Sequence, residues 1–470
     1  LQSTQLTVTP VALVSITVAP ALSSIAVGTT EQFTATGTYT DNTMQNLTMS
    51  AIWTSSTPSV ALISNTTGSN GLASSQASGT ALIMARSGLV SGSTALTVAG
   101  SAAIANNVLP VTVNGSLCSP LTSSSYLNKP CVSVTVCTPG STTACTTIND
   151  ILLDTASFGL RIFKQALTVP LTQVNASDGG SLAECAQFGD GSSEWGSVNL
   201  ADIVLGNERA LGVPIQVIDS TFGTVPGTCG TPDATPEIAG FNGILGVGVF
   251  GEDCGPVCTD PNNANIGIYF SYNGSVCAGT AVVLSDQVQN PVVSLPTDNN
   301  GVIVELPSVP LSGASSVNGN LVLGIGTQTN NIPSGVATYS TDGFGEINTD
   351  FYGITYPSVI DSGSNGLFFM SPSASMIPMC PSGSVWFCPS TTTTLSAVNN
   401  SAFGPTSGQV LFQIGNFNSL TNSVNNVFSD IGAVQPAMLI WGLPFHYGRF
   451  VYVGIENQVS SLGTGPYVAY

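Results

Sequence analysis

The sequence predicts an all-β protein in two parts: a small β-sandwich over residues 13–100 and a larger bilobal β-domain over residues 101–470. Three observations carry this reading. Short runs with apolar residues at every second position recur along the chain, bounded by Gly, Thr and Ser. Cysteine is absent from the first hundred residues, and all 11 cysteines lie beyond them. Two Asp-hydroxyl-small-Ser tetrads, Asp154-Thr155-Ala156-Ser157 and Asp361-Ser362-Gly363-Ser364, stand far apart in matching surroundings.

Residues 1–12 are an extended N-terminal strand or linker. In LQSTQLTVTPV (residues 1–11), Leu6 and Val8 alternate with Gln5, Thr7 and Thr9. This suits either a linker or a donor strand that adds to a sheet edge of a neighbouring subunit, which would make the chain a homo-polymer. From residue 13 the runs VSITVAP, SIAVG, EQFTATGTYT, SAIWTSS, VALIS, GTALIMARSG and STALTVAG supply seven short strands, enough for a sandwich. Trp53 is the large residue expected to fill its cysteine-free core. Gln32-Phe33-Thr34-Ala35-Thr36-Gly37, Trp53-Thr54-Ser55-Ser56, Pro58-Ser59-Val60-Ala61 and Gly79-Thr80-Ala81 come in an order that resembles the bacterial immunoglobulin-like group-2 module. The resemblance implies a spacer or adhesive stalk, and the segment carries no catalytic constellation.

Each tetrad of the second part follows an apolar β-type run, Ile151-Leu152-Leu153 or Val359-Ile360, and leads through Gly159-Leu160 or Gly366-Leu367 into another. A carboxylate where a buried strand breaks into a tight turn needs a reason to be there. Two such turns predict two lobes, about 105–290 and 291–470, that each give one Asp to a shared site. Paired carboxylates that share a proton keep one member neutral and one charged, so the pair can activate water and protonate a carbonyl. Thr155 and Ser362 suit a brace between the turns. Ser157 and Ser364 suit donors to the outer carboxylate oxygens.

At these residues the chain resembles the pepsin-like aspartic proteases, whose lobes each carry an Asp-Thr/Ser-Gly-Ser/Thr signature. The resemblance extends to two apolar-apolar-Gly elements behind the loops, Ile244-Leu245-Gly246 and Ile440-Trp441-Gly442, and to a flap-like hairpin in residues 188–206. It implies substrate-covering residues Phe188, Gly189, Asp190, Gly191 and Trp195. Two departures stand out: Ala156 replaces the usual Gly, and Phe188 stands where most peptidases have Tyr. The chain is more similar still to a family of secreted bacterial proteins, described only as a domain of unknown function, that share the two-Asp plan.

Charged residues make up 7% of the chain, against roughly 25% in average soluble domains. With 6 Lys plus Arg against 25 Asp plus Glu, no basic patch can be assembled, which argues against nucleic acid as a partner. No apolar run approaches the ~20 residues of a membrane span. The cysteines suggest disulfides in an oxidising compartment, with short-range candidates Cys118–Cys131, Cys137–Cys145, Cys254–Cys258 and Cys380–Cys388. Cys185, Cys229 and Cys277 remain, and the odd total leaves at least one thiol. Cys254-x₃-Cys258 has no second pair or His at zinc-ligand spacing, and the lone His446 is a packing or surface residue, so no metal site is expected. The chain starts without Met or a signal-peptide pattern, as a mature exported protein would.

The expected protein is extracellular or at the cell surface: an aspartic-type endopeptidase acting on polypeptides through Asp154 and Asp361 without a cofactor. The alternative is a polymerising structural or adhesive subunit built on an idle protease-like shell.

Overall fold

The computed structural model describes residues 10–21, 23–26, 30–77, 79–99, 106–119, 126–381 and 383–470. The chain divides into two compact units, Leu1–Ala105 and Asn106–Tyr470. Of the N-terminal donor-strand candidate, residues 1–9 lie outside the described residues.

The first unit is a sandwich of short strands. One sheet is made of Leu13–Ala19, Thr34–Tyr39 and Met44–Asn46, and another of Ser23–Ala26, Val90–Ala99, Gly79–Ser87 and Ile52–Ser55. Strand periodicity sets the burial: Ala81, Ile83 and Ala85 point into the core while Leu82, Met84 and Arg86 point out. Phe33, Trp53, Ile83, Leu96 and Val98 fill that core, and the Trp53 indole donates to the Thr48 carbonyl at 2.9 Å. Gly92 sets how closely the sheets approach, because a Cβ there would stand 1.9 Å from the Ile16 carbonyl oxygen.

The second unit is built mainly on a 16-stranded sheet and a seven-stranded sheet among the described residues. Strand Val108–Val113 pairs antiparallel with Val317–Leu323, so early and late parts of the chain share the larger sheet. The same local device then appears twice. Strand Cys145–Asp154 runs parallel to Gly243–Val247, which runs antiparallel to Phe158–Phe163. Strand Ile354–Ile360 runs parallel to Leu439–Trp441, which runs antiparallel to Leu367–Phe369. In each case the two legs of an Asp turn are held apart by the strand that carries the apolar-apolar-Gly element. Only Gly fits at its end. A Cβ on Gly246 would stand 2.8 Å from the Phe158 nitrogen, and one on Gly442 would stand 2.0 Å from the Gly366 oxygen.

Among the described residues the four short-range cysteine pairs are disulfides, and Cys185 pairs with Cys229 across 44 residues. Cys277 is free. The Cys254–Cys258 bond removes the thiolates that zinc would need there. The cluster Cys118, Cys131 and Asp150 is likewise a disulfide beside a carboxylate that is already paired with Lys129.

One buried pair makes stability depend on pH. The Glu208 carboxyl accepts the backbone N–H groups of Thr297 (3.1 Å) and Asp298 (3.3 Å). It also shares a hydrogen bond with the Asp298 carboxyl, which in turn accepts from the Thr327 and Gln328 side chains. Burial, then the Asp298 neighbour, pushes Glu208 up to about 7. A raised carboxyl favours the proton-bound fold, so its contribution is full below the ordinary Glu range near ~4.3 and is lost as pH rises through about 7. The melting temperature of the second unit should therefore fall between pH 5 and pH 8, as read by calorimetry on the full chain. Glu208→Gln, neutral at every pH, should remove part of that slope, and an unchanged slope would refute the assignment.

Candidate active site

The Asp154 carboxyl ends a strand whose last apolar residues, Ile151, Leu152 and Leu153, are buried. The chain turns at once, and Oδ1 of Asp154 accepts the backbone N–H groups of Ala156 (2.8 Å) and Ser157 (3.2 Å). The second turn repeats this: Oδ1 of Asp361 accepts from Gly363 (2.8 Å) and Ser364 (3.1 Å). An Asp that caps its own turn in this way has one oxygen fixed and the other free to face across.

The two turns exchange hydroxyls. Thr155 Oγ1 donates to the Ile360 carbonyl (2.8 Å) and accepts the Ser362 N–H (2.9 Å). Ser362 Oγ donates to the Leu153 carbonyl (2.7 Å) and accepts the Thr155 N–H (3.1 Å). Both residues are buried, Thr155 at 5% exposure and Ser362 at 0%, so these bonds form away from competing water. The brace anticipated for this pair is a closed set of four hydrogen bonds.

That brace sets the Asp154 and Asp361 carboxyls beside each other, close enough for Asp154 to raise the proton affinity of Asp361. Gly363 permits the approach: a Cβ there would stand 2.8 Å from Asp154 Cγ. Burial, then the charge of Asp154, pushes Asp361 up to about 8, against the opposing pull of a hydrogen bond from the Ser364 side chain. Of the two turns, the second therefore carries a carboxyl that holds its proton well above the ordinary range.

The supporting serines divide. Ser364 donates through its N–H, and its side chain also acts to lower the proton affinity of Asp361. Ser157 acts through its backbone N–H alone, since its buried hydroxyl has no partner among the described residues, which corrects the expectation that it would donate.

The flap-like segment is a tight hairpin. Strands Ser181–Gln187 and Ser193–Leu205 pair up to Gln187 opposite Ser193. Between them the Phe188 N–H donates to the Ser192 carbonyl (3.0 Å), and Asp190 accepts from the Ser192 N–H and hydroxyl. Gly191 takes φ of 91°, a left-handed conformation that suits Gly at the tip, and Gly189 has open space about it. Phe188 is partly exposed and packs with Tyr126 against the cluster of Leu152, Phe163, Ile218, Phe241 and Ile244. Trp195 departs from the expected cleft role. It is fully buried, its ring lies edge-on to Phe270, and its indole donates to the Phe222 carbonyl. Its place is beneath the hairpin.

His446 is buried, and burial pushes it down to about 3, so it stays neutral through the ordinary pH range. Trp441 is core, with its indole donating to Asn399 Oδ1 at 3.0 Å.

Sequence reasoning missed the segment Tyr126–Cys131, which runs against the second Asp turn. Asn128 donates to the carbonyls of Asn365 and Phe428, both at 2.8 Å, and accepts from the Phe428 N–H and the Tyr447 hydroxyl. Lys129 is buried in an ion pair with Asp150 at 2.6 Å. A lysine in an apolar stretch of a chain with so few cations is the signal that was available for it.

Comparison with known proteins agrees with this division of the chain. Residues 12–98 match the bacterial Ig-like domain (group 2) family, and residues 103–470 match a family described as a protein of unknown function, DUF3443. A curated relative, Ice-binding protein 1 of Shewanella frigidimarina, is 46% identical over 90 residues, which span 19% of this chain and 10% of that protein. A solved structure, the aspartic proteinase from Irpex lacteus, is similar at a TM-score of 0.45 and 16% identity, covering 77% of this chain and 96% of that one. With most of its length matched, the chain belongs to the DUF3443 family and carries a bacterial Ig-like domain ahead of that region.

Proposed function

We propose that the second unit is an aspartic-type endopeptidase that acts outside the cell on polypeptides. The observation that carries this is the closed set of hydroxyl bonds from Thr155 and Ser362 that holds the Asp154 and Asp361 turns together, with Gly363 packed against the Asp154 carboxyl. Two carboxyls crowded together in this way are costly to arrange and have little structural value, because the brace already joins the turns. An extracellular setting is supported by the five disulfides found among the described residues. No described helix is long and apolar enough to cross a membrane.

In this reading a water sits between the carboxyls. The charged member, Asp154, takes a proton from the water as its oxygen attacks the peptide carbonyl carbon. Asp361 gives its proton to the carbonyl oxygen, and a gem-diol forms. Collapse of that intermediate breaks the C–N bond, the amine leaves with a proton, and the pair regains its single shared proton. Phe188 and the hairpin tip at Gly189, Asp190 and Gly191 would lie over the bound chain.

The reading has a definite pH signature. Because Asp361 must hold its proton, cleavage of an unfolded protein should be strongest at acidic pH and fall as pH rises through about 8. Asp154→Asn and Asp361→Asn should each lower turnover by at least about a thousandfold, and the double variant should lose little more. Activity that survives Asp361→Asn removes the mechanism.

The brace can be tested apart from the chemistry. Ser362→Ala leaves the Leu153 carbonyl without its donor and the Thr155 N–H without its acceptor in a dry site, which should destabilise the chain by about 1–3 kcal/mol. Denaturant titration of the full chain reads this directly, and a change within error would show that the brace contributes nothing.

A further inference from the structure

Two side chains, two residues apart, hold two carbonyls of the Asp361 turn that are also two residues apart. The Tyr126 hydroxyl donates to the Gly363 carbonyl at 3.3 Å, and Asn128 donates to the Asn365 carbonyl at 2.8 Å. The segment that presents them is pinned on the Asp154 side. Lys129 Nζ binds Asp150 (2.6 Å) and the Gly240 carbonyl (3.0 Å), Asn114 donates to the Tyr126 carbonyl (2.6 Å), and Cys131 is bonded to Cys118. The phenol feels the charges of Asp361 and Asp154 of the pair and of Asp190 at the hairpin tip. Its ring packs with Phe188 on one apolar cluster. Burial and those three charges hold the phenol well above its ordinary range, so it remains a neutral donor throughout. Phe188 has a ring and no hydroxyl, which leaves Tyr126 as a phenol beside the pair from a different segment.

We propose that Tyr126 is a positioning residue of the carboxyl pair: its hydroxyl fixes the Gly363 carbonyl, and with it the Asp361 turn, while its ring closes the pair to water on that side. The inference rests on the peptidase reading for its consequence in turnover, but its structural content stands without it. A tethered turn keeps Gly363 against Asp154, the contact at which any added atom would collide. A ring anchored at Gly363 and packed on the apolar cluster with Leu152, the neighbour of Leu153 and Asp154, would add to the desolvation that keeps the proton on Asp361.

The test uses the full chain with ¹³C-labelled aspartate carboxyls, following the upper titration of the pair, which Asp361→Asn identifies by its disappearance. Tyr126→Ala admits water and should move that titration down by about one pH unit. Tyr126→Phe keeps the ring, so the titration should move much less, while the lost tether should lower kcat about tenfold with KM nearly unchanged. An upper titration unmoved by Tyr126→Ala overturns the proposal. So does a Tyr126→Phe enzyme as fast as the wild type. If the wild-type chain cleaves nothing at acidic pH, the peptidase reading falls, and the carboxyl titration still decides the role of Tyr126.

Discussion

The candidate site hangs on an exchange of hydroxyls between two turns. Thr155 and Ser362 each donate to a carbonyl on the opposite side and accept an N–H from it, so neither turn can be placed without the other. Such bonds are worth little where water competes and much more where it is excluded. Both hydroxyls are buried because each turn ends a run of apolar residues aimed at the junction. Hydrophobic burial therefore decides where the turns lie, and the hydroxyls decide the distance between them. The distance in turn forces two carboxyls together, and the raised proton affinity of Asp361 follows from that crowding and from burial.

What was legible in the sequence was whatever is local. A tetrad that ends an apolar run states a turn, an apolar-apolar-Gly triplet states a buried strand with a close approach at its end, and FGDGS between β-type runs states a hairpin. The four short-range disulfides belong to the same class. Partnerships that only the folded chain creates were not legible. Cys185 meets Cys229 across an intervening strand pair, and Glu208 meets Asp298 from 90 residues away. Tyr126 lies 237 residues from the carbonyl it holds. Trp195 shows the converse limit. Its place in a hairpin was plain, yet strand alternation alone did not say which of its two faces was buried.

The near absence of cations gives the second unit its electrostatic character. Arg161 is shared by Glu184 and Asp253, and Lys129 is taken by Asp150, so carboxyls elsewhere in the interior must stay protonated or find neutral donors. Glu194 is held well above the ordinary carboxylate range, chiefly by burial. Each such carboxyl binds its proton more readily in the fold than in the open chain, so acidity favours the folded state there. The carboxyl pair at the junction is one member of that larger population, distinguished by having a partner of its own kind within reach.

The strand Leu439–Trp441 lies between the legs of the second turn, and it is supplied by a part of the chain well beyond Asp361. Until that strand has been synthesised, Asp361 has nothing to hold its turn open, and the first turn lacks a finished counterpart. A growing or truncated chain can thus complete its Ig-like unit and much of its larger sheet while the paired carboxyls do not yet exist. Such a chain would lack the carboxyl pair even with both aspartates already in it. Because the wedge of the second turn follows both aspartates in sequence, their carboxyls are set side by side only after the strand that holds that turn open is in place.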